Sequence, residues 1–165
     1  MRVGANSPSF DVSALDTQDF IRGMLEPLES PIVRYYWDRG YPDEMLMMLR
    51  LSKEFGFKLA ALQHALEAYK IMPEILEAGV GVSLFADLWS YKIEVIDAIP
   101  FSPAMCSKFG ILTSINTDSF AGVPPLHLDA AKSIRYGGLS EEDALKLVTI
   151  NPAKQMGVDH RLGTL

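Results

Sequence analysis

The chain has 165 residues, of which 48% are hydrophobic, and 15 Lys and Arg stand against 21 Asp and Glu, giving a formal net charge of -6. This length is typical of one domain or of a piece of a larger one, and it is sufficient to bury a core. The acidic balance argues against nucleic acid as a main partner, because phosphate binding requires a basic surface.

A single cysteine excludes a disulfide framework and cysteine-rich zinc sites, and the three histidines provide few ligands for a metal. Residues 1–10 lack the apolar segment of a secretory signal peptide. No apolar run approaches the roughly 18 residues of a membrane-spanning helix. These absences predict no membrane partner and a cytoplasmic location.

The N-terminal segment, residues 1–40, is the least regular part of the sequence. Apolar residues at helical spacing predict a short helix over 16–28, and the β-branched and aromatic run 32–37 predicts a strand. Residues 38–42, DRGYP, are expected to end that strand.

From residue 43 onward, short apolar runs alternate with amphipathic helical patterns, several of which end at a glycine. The predicted strands are 57–62, 80–85 and 111–115. The predicted helical segments are 43–55, 69–78, 93–99, 103–109, 128–136, one capped by Ser140 and a short one that starts at Pro152. Strands that are apolar on both faces and separated by helices indicate a parallel sheet. An open doubly wound sheet and a portion of a (β/α)₈ barrel both fit this pattern.

In either architecture, functional side chains gather just beyond the C-terminal ends of the strands. Those positions hold Asp38, Gln63 with His64, Asp87, and residues 116–119, NTDS. Imidazole and carboxylate are natural ligands of zinc, and a carboxylate beside water can act as a general base. The alternative is purely structural: a histidine or aspartate after a strand also caps helices and fixes loops.

Three other residues that could take part in a functional site are predicted to have no role in chemistry. Cys106 lies in a helical stretch without a neighbouring base, so we expect a small core residue. His127 is expected at the surface or as a helix cap, and His160 is expected to be solvated.

Several segments from about residue 43 onward carry the motifs of one known family. Residues 62–70, LQHALEAYK, are similar to its Q-H-x-x-E-x-Y-K segment, and residues 85–92, FADLWSYK, resemble its F-S-D-W-W-x-Y-K loop. Residues 114–119, SINTDS, resemble its S-x-N-S-D-S strand end, and 137–155 resemble the helices that follow. Taken together, these segments resemble imidazolonepropionase-like members of the amidohydrolase superfamily, and the resemblance extends from about residue 43 to the C-terminus.

The resemblance implies an α/β fold, the C-terminal portion of a metal-dependent hydrolase (β/α)₈ TIM barrel with parallel strands alternating with helices. Members of the family hydrolyse C–N bonds with metal-activated water. His64 matches a metal ligand at the end of the sixth strand. Asp118 matches the aspartate at the end of the eighth strand, which contacts the metal and carries the proton to the leaving nitrogen. Zinc is the expected metal, and Asp87, Trp89 and Tyr91 are expected to bind the substrate.

The sequence also departs from the family pattern. The first-strand H-x-H pair and the bridging ligand of the fourth strand have no counterpart, and the fifth-strand histidine position falls near Asp38. We therefore expect residues 1–40 to be an atypical N-terminal segment and 41–165 to be a partial barrel with strands five to eight. Relatives continue beyond the position of Leu165 into a final strand.

Two functions follow from these expectations. The first is a hydrolase of C–N bonds in a small amide, either a cyclic amide or a dipeptide. The second is a catalytically inactive half-barrel that assembles with itself or with a complementary half, or serves as a binding module. The second function is considered because zinc hydrolases use three protein ligands, whereas only His64 and Asp118 match ligands of the family. An open half-barrel is also expected to expose strand edges that pair with another chain.

Overall fold

A computed structural model describes residues 35–38, 41–87, 90, 93–117 and 126–164; only the backbone is described for 35–38 and for Glu94. The predicted helix over 16–28 lies outside these residues. All described residues belong to the compact unit that begins at Arg34.

Four short strands form one sheet in which every neighbouring pair is parallel and the spatial order follows the chain order. The strands are β1 (Tyr35–Asp38), β2 (Leu59–Gln63), β3 (Gly81–Leu84) and β4 (Thr113–Ile115). In register, Asp38 lies opposite Gln63, and Leu84 lies opposite Ile115. The carboxyl ends of all four strands therefore meet at one edge of the sheet, as expected for consecutive strands of a parallel barrel.

Helices follow the strands, as the alternating pattern predicts. They are α1 (Pro42–Phe55), α2 (Met72–Ala78), α3 (Ser102–Lys108), α4 (Leu126–Gly137), α5 (Glu141–Lys146) and α6 (Ile150–Met156), with 3₁₀ turns at Ala68–Lys70 and Ile93–Val95. Gly56 and Gly79 end α1 and α2 in the left-handed conformation, with φ of 72° and 65°. Ser140 caps α5 as predicted, because its hydroxyl accepts a hydrogen bond from the Asp143 N–H at 3.0 Å.

Several predicted helix boundaries are wrong. The segment 93–99 is helical only at Ile93–Val95, and α4 starts at Leu126 and not at residue 128. The helix expected over 69–78 is a 3₁₀ turn followed by α2, because Pro73 has no N–H and its ring would clash with the carbonyl four residues earlier. The last helix starts at Ile150 and not at Pro152. Pro152 is tolerated there because the N–H groups of the first helical turn need no partner within the helix.

Apolar side chains fill both faces of the sheet. Met45 and Ile75, from α1 and α2, pack with Leu62 and Val82 in one buried cluster that also contains Cys106. A second cluster joins β4 to the later helices, through Ile115, Ala104, Ala130, Ala144 and Leu147. The prediction that Cys106 is a core residue is confirmed, since its side chain is fully buried. His127 and His160 are exposed, as expected.

The predicted strands are longer than the observed ones. Val80 and Ile111 are buried, each about 5% exposed, yet they precede β3 and β4. An apolar residue that precedes a strand can therefore be as buried as the strand itself, which explains why the predicted strands start too early. Within the ranges described above, no helix is both long enough and apolar enough to cross a membrane.

Candidate functional site

His64 directly follows the last residue of β2 and is the predicted metal ligand. Its backbone is left-handed, with φ of 52°. Such a conformation costs a residue other than glycine about 1–3 kcal/mol, and it is enriched at functional sites. The half-buried ring packs against Phe85, with centroids 4.7 Å apart and an interplanar angle of 43°. The chain thus holds an imidazole in a fixed position at the carboxyl edge of the sheet.

A side-chain amide joins three strand ends beside His64. Asn116, directly after β4, donates from Nδ2 to Ser83 Oγ in β3 at 2.7 Å and to Gln63 Oε1 in β2 at 3.2 Å. The backbone N–H of Asn116 also donates to Leu84 O at 2.9 Å. These bonds fix the relative positions of the strand ends, and hence the edge on which His64 stands.

The same edge carries buried oxygen atoms without a hydrogen-bond partner in the described part of the chain. They belong to three residues that follow β3 or β4: Asp87 Oδ1, Asn116 Oδ1 and Thr117 Oγ1. A buried polar atom left unpaired costs about 1–3 kcal/mol, so such atoms are rare in folded proteins and call for an explanation. Here they are available to accept hydrogen bonds from N–H or O–H groups of a ligand.

An ion-paired lysine connects the segments that follow β2 and β3. Lys70 Nζ lies 2.6 Å from Glu67 Oε2 and 2.5 Å from Asp97 Oδ2. Hydrogen bonds to Asp97 and Glu67 raise the pKa of Lys70 above its usual value. Tyr69 adds a bond from its hydroxyl to Asp97 O at 2.9 Å. Glu67, Tyr69 and Lys70 therefore stabilise the loops around His64.

Comparison with known proteins shows which proteins this chain is similar to. No family model matches the sequence. The curated protein amidohydrolase tasK of Hapsidospora irregularis is 32% identical over 129 residues, which are 74% of this chain and 13% of tasK. The crystal structure of an amidohydrolase from Thermotoga maritima is 33% identical with a TM-score of 0.71, over 80% of this chain and 34% of the other. The N-acetylglucosamine-6-phosphate deacetylase of Pasteurella multocida is 13% identical with a TM-score of 0.43, a likeness too low to carry an argument.

Over most of its length, the chain is similar to amidohydrolases. Its four parallel strands and their helices match part of an amidohydrolase barrel, which confirms the predicted fold class. The chain spans about a third of the length of the Thermotoga maritima amidohydrolase and 13% of tasK.

Of the site residues that the amidohydrolase resemblance predicts, the structure brings His64 and Asp87 to the carboxyl edge of the sheet. Asp118, Trp89 and Tyr91 lie outside the described residues. The backbone of Asp38 pairs with Gln63 at this edge, while its side chain is not described.

A zinc ion needs three or four donor groups, which for a site within the described part of the chain would have to come from the described side chains. Among them, no group of three His, Cys, Asp or Glu is placed to hold a metal ion. His64 supplies one imidazole, and one donor does not make a zinc site. The described residues alone therefore do not fit a metal.

The outer edge of β4 is not free, although the sequence predicts exposed strand edges. The Ile115 N–H donates to Leu147 O at 2.9 Å, and Asn151 Nδ2 donates to Thr113 O at 2.8 Å. The segment from α5 to α6 thus occupies positions at which a further strand would bind. Covering an edge in this way protects a sheet against unwanted pairing.

Sequence reasoning missed the role of Ser83 and gave Gln63 and Asn116 no function beyond their place at strand ends. The available signal was a hydroxyl within the otherwise apolar run 80–85. A polar side chain in a strand buried on both faces needs a partner on a neighbouring strand.

Proposed function

We propose that the chain forms part of the catalytic barrel of an amidohydrolase that hydrolyses a C–N bond of a small amide, cyclic or dipeptide-like. The observation that carries this proposal is the position of His64, held in left-handed backbone at the carboxyl edge of a sheet that matches an amidohydrolase structure. A strained conformation at the end of a barrel strand supports a role in the reaction, because structural positions rarely retain such a cost.

His64 and Asp118 are proposed as ligands of a divalent metal, with zinc as the expected ion. Asp118 is also the proposed general base, which would accept a proton from water and return it to the leaving nitrogen. The proposed substrate-binding residues are Asp87, Trp89 and Tyr91. The buried Oδ1 of Asp87 supports this assignment, since it is free to accept a hydrogen bond from an amide N–H of the substrate.

The proposed division of the chain places the partial barrel at 41–165 after an atypical segment, 1–40. The other strands and metal ligands would come from a complementary half of the barrel. The proposed partners are accordingly a small-molecule amide and that complementary half, or a second copy of the chain, in the cytoplasm.

Metal content and amide hydrolysis test this function together. We expect the purified chain, with the complementary half supplied by the N-terminal part of the Thermotoga maritima amidohydrolase, to retain zinc and to turn over at least one of a panel of cyclic amides and dipeptides. His64→Ala should lose zinc, while His127→Ala, an exposed histidine, should not. Asp118→Asn should abolish turnover, with Asp159→Asn as its control. A metal-free mixture without turnover for any amide would contradict the proposal.

A second candidate is an inactive half-barrel that serves as an assembly or binding module. This candidate is favoured because the described residues contain no group of three side chains that could hold a metal ion together. Native mass spectrometry separates the two candidates: a stable complex with the complementary half that neither binds zinc nor hydrolyses amides would support the module. Zinc binding that depends on His64 would exclude it.

A further inference from the structure

A cavity of about 580 Å³ lies between α1 and α2, at the opposite end of the strands from His64. It is lined by Leu59, the first residue of β2, and by Val80, which precedes β3. The carboxyl edge that carries His64 is formed by the other ends of these strands, so a ligand in this cavity would not touch it. Pockets for small molecules typically have volumes of about 300–1,000 Å³. We refer to this space as the α1–α2 cavity.

One wall of the α1–α2 cavity is cationic. Arg50 and Lys53 lie three residues apart on α1, which places them on the same face of the helix, and Lys58 follows from the segment before β2. All three side chains are exposed, and within the described ranges none of them forms an ion pair. No carboxylate of the described residues therefore pairs with these three charges.

The opposite wall is anionic. Glu74 and Glu77 lie three residues apart on α2, and they too are exposed and form no ion pair with a described residue. The side-chain nitrogens of the cationic wall therefore lie more than 4.0 Å from the carboxylate oxygens of Glu74 and Glu77. The cavity thus separates two rows of opposite charge that would otherwise be natural partners.

Between the charged walls the lining is apolar. Leu49, Leu59 and Val80 are buried side chains, each less than 10% exposed, and all three line the cavity. An apolar surface with a few charged groups at its rim is the usual composition of a small-molecule site.

We propose that the α1–α2 cavity binds a zwitterionic α-amino acid with an apolar side chain. The carboxylate lies against Arg50, Lys53 and Lys58, the ammonium group lies against Glu74 and Glu77, and the side chain packs on the apolar lining. A simple anion would meet the repulsion of the two glutamates, and a simple cation would meet that of the three basic residues. Only a ligand with both charges satisfies both walls, through charge-assisted hydrogen bonds at each end.

Three related ligands test the proposal on the full chain. L-leucine carries both charges, N-acetyl-L-leucine keeps only the carboxylate, and L-leucinamide keeps only the ammonium group. Titration calorimetry should show the tightest binding for L-leucine, with the blocked ligands weaker by about tenfold or more, since each loses a hydrogen-bonded charge. Equal affinity for all three, or no detectable binding of L-leucine, would overturn the proposal.

Charge-removing variants assign the two ends of the ligand. Lys53→Gln should weaken L-leucine about tenfold but strengthen L-leucinamide, because it removes a positive charge that repels the ammonium group. Glu77→Gln should weaken L-leucine but strengthen N-acetyl-L-leucine, because it removes a negative charge that repels the carboxylate. Lys154→Gln and Glu141→Gln, at exposed positions on α6 and α5, are the matched controls. Urea denaturation confirms that each variant is folded. If the controls weaken L-leucine as much as the cavity variants, the binding is nonspecific and the site is wrong.

Discussion

Asn116 and Ser83, which are 33 residues apart in the chain, are joined by a hydrogen bond of 2.7 Å from the side-chain amide to the hydroxyl. The same Nδ2 also donates to Gln63 Oε1 at 3.2 Å, so one side chain connects β2, β3 and the end of β4. The connection lies at the edge from which His64 projects. It gives that edge a rigidity that short strands of three to five residues would not have alone.

Removal of this amide should destabilise the sheet. Asn116→Ala leaves the Ser83 hydroxyl and the Gln63 amide without their partner, and we expect a loss of about 1–3 kcal/mol in the free energy of unfolding. Ser83→Ala removes one bond of the pair and should cost less. Ser90→Ala is the matched control, since its hydroxyl makes only a long, exposed contact of 3.5 Å and should change stability by less than about 0.5 kcal/mol. Urea denaturation measures all three; an Asn116→Ala variant as stable as the control would show that the bridge has no energetic role.

Gln155 makes a similar connection at the other end of the strands, and Gly81 leaves room for it. Gln155 Nε2 donates to Val82 O and Leu112 O at 2.9 and 3.0 Å, and Oε1 accepts from Ser114 Oγ at 2.7 Å. A Cβ on Gly81 would lie 2.8 Å from Gln155 Nε2 and 3.1 Å from Leu112 O. Position 81 therefore requires a glycine, because the Gln155 side chain and the Leu112 carbonyl oxygen leave no room for a Cβ atom.

A double-mutant cycle tests this close approach. Gly81→Ala should destabilise the protein by about 1–3 kcal/mol through overpacking. In a Gln155→Ala background the same substitution should cost less, because only the contact with Leu112 O remains. Urea denaturation of the four proteins gives the coupling energy. Strictly additive effects would mean that the Gln155 side chain moves aside at no cost.

The Cys106 thiol should be unreactive in the folded protein. Burial raises its pKa to about 12, and its side chain is fully buried. An unfolded thiol ionises near pH 8.5, so above that pH the unfolded chain loses a proton that the native protein keeps, and stability falls as pH rises. Labelling with a thiol reagent should be slow in buffer and complete in urea. Cys106→Ala should remove this part of the pH dependence; rapid labelling of the native protein would contradict its burial.

The features that the sequence predicts depend on residues that are close together in the chain. The parallel strand order was predictable, because apolar runs alternate with helical patterns, and the cap at Ser140 depends on residues only three positions apart. The position of His64 at the carboxyl edge of the sheet was predictable, because the residue follows an apolar run directly. Contacts between distant residues were not: the partners of Asn116 depend on strand register, and the α1–α2 cavity depends on how closely two helices pack. Register and packing are properties of the folded sheet that no short stretch of sequence contains.

The edge of β4 should become open to pairing when Asn151 is replaced. Its side chain donates to Thr113 O at 2.8 Å, and the nearby Leu147 O accepts from the Ile115 N–H. Asn151→Ala frees the Thr113 carbonyl at the outer side of the sheet and should cost about 1 kcal/mol in stability. The free edge should also increase self-association, because an unpaired strand is a template for another strand. Sedimentation velocity across a range of concentrations should show a larger associated fraction than for Lys154→Ala, an exposed residue of the same helix. If both variants sediment alike, Asn151 does not protect the edge, and a strand added beside β4 would have only the Ile115–Leu147 bond to displace.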